Sequence, residues 1–312
     1  MPDASRCRRV TVRSAALAVS AALAAALAVP ASAAVVSGGV IGWGRPDYGL
    51  IAPPPEALAG VSAVSAGSTN VMALKGGAVL VWGINNFGET EVPAAASSGV
   101  TQIAQGWSHE LALKSGKVLA WGNDWYGQTE VPTAALSNVI AISTSSMHSL
   151  ALKQGGQVIS WGTRSDVPAA AQSGVTAIAA GGDHNLALKA GGVIAWGSNT
   201  YGQTTVPAAA KSGVTAVSAG FQHSLALKNG GVIAWGRDNY HQAEVPDAAL
   251  SDVVAIDAGY NHNLAFKTNG DIVVWGSDIV QESEPITCGP VVAVSAGDGS
   301  SFVIKENPGA PC

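Results

Sequence analysis

Five histidines are the first residues to weigh for chemistry. His109, His148, His184, His223 and His262 recur at one position of a repeating stretch, each followed two residues later by Leu-Ala. Clustered imidazoles suit metal ligation or acid–base work near neutral pH. Each of these histidines, however, falls in a separate unit, and the chain has no tight ligand pair of the zinc type. The expectation is that each fixes its own loop by hydrogen bonds to backbone groups. Asn70 and Ser300 take the same place in two further units, as a structural device tolerates. Ser145-Ser146-Met147-His148 sets a serine near a histidine, but it is the local form of a recurring Ala-Gly-x-x-His. There is no Gly-x-Ser-x-Gly elbow, no phosphate-binding glycine loop, no His-Glu-x-x-His and no motif of paired carboxylates. The chain reads as a non-enzyme without metal or cofactor.

The other residues able to do something are aromatic. Apart from Phe266 and Phe302, which fall on strand-like runs, those outside the repeating Trp-Gly pair collect in two sets of loops. Loops after Trp-Gly carry Tyr48, Phe87, Asp124-Trp125-Tyr126, Arg164 with Asp166, Tyr201, Asp238-Asn239-Tyr240 and Asp278-Ile279. Loops after the Ala-Gly strand carry Trp107, Met147, Asp183, Phe221, Tyr260 and Asp298. Aromatic anchors rimmed by Asp and Asn have the composition of a protein-binding surface. The alternative for any one ring is packing between neighbouring structural units.

The elements that position these loops are legible from the period. Trp-Gly recurs at Trp43, Trp82, Trp121, Trp161, Trp196, Trp235 and Trp275, at spacings of 39, 39, 40, 35, 39 and 40 residues. A period near 40 built of strand-like units means a propeller or a solenoid. In the unit Trp196–Trp235, Gln203–Val206, Val214–Ala219, Ser224–Lys228 and Val232–Trp235 read as four short strands, with Asn229-Gly230-Gly231 as a hairpin turn. The fold class expected is all-β, a seven-bladed β-propeller of four-stranded antiparallel blades. The first strand, near Val40–Trp43, completes the blade begun near Gly276 and closes the ring, which removes free edges. By strand parity both loop sets lie on one face, here called the top, and the Pro-Ala-Ala connections lie at the bottom. Two units depart from the pattern. The one after Trp161 spans 35 residues and lacks the Gly-Gln turn, and the one after Trp275 loses Val-Pro and carries Cys288.

Residues 1–33 read as a secretory signal peptide: Arg6, Arg8, Arg9 and Arg13, an apolar run Ser14–Val29, and Ala31-Ser32-Ala33 as cleavage site. Residues 34–306 are then the propeller and 307–312 a tail. Without the four arginines and one aspartate of that leader, 12 basic residues face 20 acidic ones, a formal charge of −8. This is the wrong sign for nucleic acid. No second apolar span of transmembrane length follows, so no membrane partner is expected, and the expected state is a secreted, extracellular monomer. Cys288 and Cys312 remain in an oxidising compartment, either paired to tie down the tail, which is the expectation, or as surface thiols.

Gly-x-x-His-Ser-Leu-Ala-Leu-Lys-x-Gly-x-Val-x-x-Trp-Gly resembles the regulator of chromosome condensation repeat family. Gly202-Gln-Thr-Thr-Val-Pro, Ser212-Gly-Val-Thr-Ala-Val and His223-Ser-Leu-Ala-Leu-Lys with Val232-Ile-Ala-Trp-Gly are most similar to its β-lactamase-inhibitory protein II-like members, over residues 35–305. That resemblance implies a secreted propeller whose top loops cover the active site of a class A β-lactamase, with no chemistry of its own. The aromatics at matching positions are Tyr48, Phe87, Trp125, Tyr126, Tyr201 and Tyr240. Trp107, Phe221 and Tyr260 sit one residue earlier than the aromatic those members place before the histidine. The alternative function is a secreted recognition module for another protein or a cell-wall glycan.

Overall fold

The computed structural model describes residues 37–277 and 290–306. The leader, Asp278, Ile279, Cys288, Cys312 and the tail lie outside the described residues. Within them the chain forms 21 strands. They are β1 Gly39–Gly44, β2 Val61–Ala66, β3 Asn70–Lys75, β4 Ala78–Gly83, β5 Val100–Gln105, β6 His109–Lys114, β7 Lys117–Gly122, β8 Val139–Thr144, β9 His148–Lys153, β10 Val158–Gly162 and β11 Val175–Ala180. They continue as β12 His184–Lys189, β13 Gly192–Gly197, β14 Val214–Ala219, β15 His223–Lys228, β16 Gly231–Gly236, β17 Val253–Ala258, β18 His262–Lys267, β19 Ile272–Gly276, β20 Val291–Ala296 and β21 Ser300–Lys305. These make seven three-stranded antiparallel sheets, one per repeat. Six are consecutive triplets, β2-β3-β4 through β17-β18-β19. The seventh runs β1-β21-β20, with Gly39 opposite Lys305 and Gly44 opposite Ser300, so it draws strands from both ends of the sequence.

The blades therefore hold three strands, not four. Gln203–Val206, expected as a strand, is a run of turns. Its donors are already engaged locally. Thr204 N–H bonds Asn199 Oδ1, Thr205 N–H bonds the Gly202 carbonyl, and Val206 N–H bonds the Thr204 carbonyl. These three donors are taken from any ladder with the outer strand. The Pro-Ala-Ala connections also have structure: each Pro precedes a short 3-10 helix, as at Ala208–Lys211. The lysine ending the middle strand donates Nζ–H to a carbonyl of that helix, as Lys228 does to Ala209 at 2.9 Å.

The first strands of the units, β2, β5, β8, β11, β14, β17 and β20, each pack against the next, and β20 packs against both β17 and β2. Apolar clusters lie between adjacent sheets. Leu225, Leu227 and Val232 of one sheet meet Val253, Ile256, Ala265 and Trp275 of the next. Equivalent residues meet at the junctions centred on Ile142, Ile178 and Val217. The 40-residue period is thus a period of inter-sheet packing.

Candidate binding face

The aromatic loops are held by side chains beneath them. Backbone N–H of Phe87, Tyr126, Tyr201 and Tyr240 donates to the carboxyl or amide oxygen of Glu89, Gln128, Gln203 and Gln242, two residues on. All four acceptors are buried. A buried side chain anchors the backbone, and the ring is left outward. Asp124 and Asp238, expected as partner-binding residues, spend one oxygen inside their own loops, on Thr129 N–H at 2.9 Å and Ala243 N–H at 2.8 Å.

The structure gathers most of the expected rings into three groups. Phe87 and Trp125 meet edge to face at 5.0 Å and 78°. Phe221 and Tyr260 stack at 4.0 Å and 13°. Tyr201 and Tyr240 flank the Arg237 guanidinium at 5.2 and 5.8 Å. Trp125 is 75% exposed, Tyr48 60% and Tyr126 50%. Trp107 is exposed as well, while Met147, Asp183, Phe221 and Tyr260 are half-buried. The Tyr260 hydroxyl is held above its usual range, first by burial and next by Asp298. Asp183 lies 3.6 Å from Arg164.

Trp107, Phe221, Tyr260 and Asp298 also line a cavity at the end of the axis, with the last residues of the innermost strands of all seven sheets. Two girdles tie those strands together. In one, Ser65, Ser143, Ser218, Asp257 and Ser295 each accept the backbone N–H of a residue in the next sheet, at 2.9–3.0 Å. Ala104 and Ala179 stand at the other two junctions. In the second, Trp107, Gly182, Tyr260 and Asp298 donate backbone N–H to the carbonyls of Ser145, Gly220, Gly297 and Gly67. The aromatic loops are thus mounted on a cross-braced rim.

The histidines lie below that rim and differ from expectation. None bonds its own loop's backbone through Nε2. Instead Nε2 of His109, His148, His184, His223 and His262 reaches the side chain of Ser149, Asn185, Ser224, Asn263 and Ser301 in the following sheet, at 2.7–3.0 Å. The rings of His109, His184, His223 and His262 pack closely on the glycines that open their loops, whereas Ser145 opens the loop of His148; a Cβ on Gly220 would lie 2.2 Å from His223 Cε1. Burial holds the five imidazoles neutral, to about 3 for His109, His184 and His262 and about 4 for His148 and His223. Among the described residues no three His, Cys, Asp or Glu side chains are grouped as metal ligands.

Residues 175–203, 214–242 and 253–278 match the family model of the regulator of chromosome condensation (RCC1) repeat. The yeast RCC1 protein Prp20, solved bound to Kap60, aligns with a TM-score of 0.70 and 17% identity over 99% of this chain and 97% of that one. Human WBSCR16 aligns with a TM-score of 0.66 and 20% identity over 86% and 98%. The likeness is one of fold. No curated protein sequence matches. The matched stretches cover three of the seven units, β11 to β13, β14 to β16 and β17 to β19.

Sequence reasoning missed Arg237, whose Nη1 donates to Gln222 Oε1 at 2.7 Å and joins both loop sets. Its signal was available: Arg45, Arg164 and Arg237 are the three arginines beyond residue 33, and each follows Trp-Gly within two residues. It also missed the serine girdle, visible as a hydroxyl or carboxylate two residues before the Ala-Gly glycine. No helix among the described residues is long and apolar enough to cross a membrane.

Proposed function

We propose that this chain is a secreted, non-catalytic protein-binding propeller, and that it inhibits class A serine β-lactamases by covering their active site with its top loops. The observation that carries the reading is the concentration of exposed rings on one face, four of them, Phe87, Tyr126, Tyr201 and Tyr240, on a backbone anchored from below by a buried side chain. Rigid aromatics lose little conformational freedom on binding and dominate interface energetics. The acidic rim supplies orientation and polar contacts. The structural neighbour Prp20p of Saccharomyces cerevisiae is described by its binding to Gsp1p and histones, which supports a binding role for a propeller of this build. The target enters through the motif resemblance and the export-type leader.

The test is titration of the purified protein against a class A β-lactamase, followed with a chromogenic substrate. Stoichiometric inhibition is expected, reduced at least tenfold by Trp125→Ala. Unimpaired hydrolysis at micromolar protein would remove the target and leave the binding face in search of another partner.

A further inference from the structure

The positive charges of this molecule are sorted by face. The lysines all lie at the bottom, at the lower ends of strands or, for Lys211, in a Pro-Ala connection. Those that end the middle strands are spent there, as Lys75 on the Glu56 carbonyl and Lys267 on that of Ala248. The side chains that carry positive charge on the top face at neutral pH are therefore Arg45, Arg164 and Arg237. Two of them hold an acid of their own. Arg45 Nη2 lies 2.9 Å from Asp47 Oδ2, and Arg164 Nη2 lies 3.6 Å from Asp183 Oδ1. Arg237 has no carboxylate within ion-pair distance among the described residues.

The acids around Arg237 are engaged elsewhere. Asp183 and Asp298 act on the same Tyr260 hydroxyl as Arg237 does, and Asp238 adjoins it in sequence. Yet Asp183 is paired with Arg164, Asp298 accepts the Ser68 Oγ–H at 2.9 Å, and Asp238 accepts the Ala243 N–H at 2.8 Å. The guanidinium itself is held in place. It lies 5.2 Å from the Tyr201 ring and 5.8 Å from that of Tyr240, both exposed, and Nη1–H is fixed on Gln222 Oε1 at 2.7 Å. Its Nε is buried, so the Nη end is what another molecule can meet. A half-buried, oriented guanidinium pairs with a carboxylate more strongly than a free surface one, because less side-chain freedom is lost and water screens the pair less.

We propose that Arg237, framed by Tyr201 and Tyr240, is a receptor for one carboxylate, and that it takes a glutamate or aspartate side chain projecting from the partner protein. The proposal rests on the reading of the top face as a protein-binding face and adds the chemistry of the partner. Charge complementarity carries it: an unmatched cation stands among exposed rings on a face otherwise rich in acids. The stem of the incoming side chain packs on the two tyrosine rings, and its carboxylate meets the Nη end. A fitting partner therefore presents one acid opposite Arg237 in a contact that is otherwise apolar or basic.

The probe is the capped tripeptide acetyl-Gly-Glu-Gly-amide, with acetyl-Gly-Gln-Gly-amide as its neutral counterpart, titrated into the 15N-labelled protein while the arginine Nε–H resonances are followed. Arg237→Lys identifies the resonance of interest. The glutamate peptide is expected to move it saturably at millimolar concentration, and the glutamine peptide to leave it in place. Arg45 and Arg164, which already hold acids, should respond at least tenfold more weakly. Replacing both Tyr201 and Tyr240 with Ala should free the guanidinium and weaken peptide binding at least tenfold. No movement at millimolar peptide, the same movement with both peptides, or equal movement of all three arginines would overturn the proposal. These titrations contain no β-lactamase, so loss of the proposed target and loss of the carboxylate receptor are read separately.

Discussion

Trp125 and Trp235 stand two structural levels apart and show how this repeat divides its labour. Trp235 is the penultimate residue of β16 and is buried; its Nε1–H is bonded to the Gln203 carbonyl, and its ring fills the space between sheets. Trp125 sits in the loop just beyond a Trp-Gly pair, is 75% exposed, and touches only Phe87 among the rings. The two have the same chemistry and opposite partners, one facing the protein and the other facing outward. The same contrast separates the five buried histidines from the exposed tyrosines. Residues that recur at a fixed phase are spent on joining sheets, and the most exposed rings, Trp125, Tyr48 and Tyr126, lie in the loops that vary.

The largest effect that can break this comparison is acid. Each histidine is neutral in the fold to about pH 3–4 because burial disfavours its cation, while the unfolded chain takes up the proton near 6.5. Between those limits the unfolded state binds more protons, so stability is complete above pH 6.5 and falls as pH drops toward 4. At pH 4.5 each imidazole forfeits about 2 kcal/mol, and five together approach the whole stability of an ordinary domain. Urea midpoints measured between pH 7 and 4.5 should fall steeply. His223→Asn, which copies Asn70 of another unit, should flatten that slope; an unchanged slope would separate the buried histidines from acid sensitivity.

Next in size is the tryptophan pair itself. Trp235→Ala should cost about 3–5 kcal/mol in denaturant unfolding through the cavity it leaves. Trp125→Ala should stay within about 0.5 kcal/mol.

Glu110 sharpens the rule by breaking it. It holds the place of Ser149 and Ser224, is fully buried, and is pushed up to about 9, first by burial, despite the Gln105 amide bonding its Oε1. It is a neutral acid in the fold, so its folded value lies above its unfolded one. The favourable contribution is full below the unfolded value and is lost as pH rises toward 9. Glu110→Gln should therefore stabilise by on the order of 2 kcal/mol at pH 7 and by little at pH 4. Equal gains at both pH values would mean a packing effect instead. A smaller loss is expected at the axial girdle: Ser218→Ala should cost about 1 kcal/mol, since it leaves Ala258 N–H without its acceptor and Ala179 already shows the fold tolerating that residue.

Much of the fold was legible because its information is periodic. Seven Trp-Gly pairs and seven strands of the Ala-Gly type, five of them ending in Ala-Gly itself, mark seven sheets, and glycine-containing turns such as Asn229-Gly230-Gly231 place the hairpins. The fourth strand was misread because Gln-Thr-Thr-Val has strand composition while its donors are claimed by Asn199 and Gly202, a fact of side-chain geometry that alternation cannot show. The histidine partners are not legible locally, since they lie 37–40 residues away in the next sheet. The aromatics were legible as a loop set. Their grouping across sheets, and the part of Arg237 in it, depends on which loops the ring of sheets brings together, and no local pattern contains that.

Binding and unfolding read on the same two variants decide the matter most directly. For a class A β-lactamase titrated by calorimetry, Trp125→Ala should lose at least tenfold in affinity with an unchanged urea midpoint. Trp235→Ala should lower the midpoint while the fraction that remains folded binds as before. A Trp125→Ala protein that binds normally, or that unfolds as early as Trp235→Ala, would contradict the division of exposed and buried rings on which the proposed function rests.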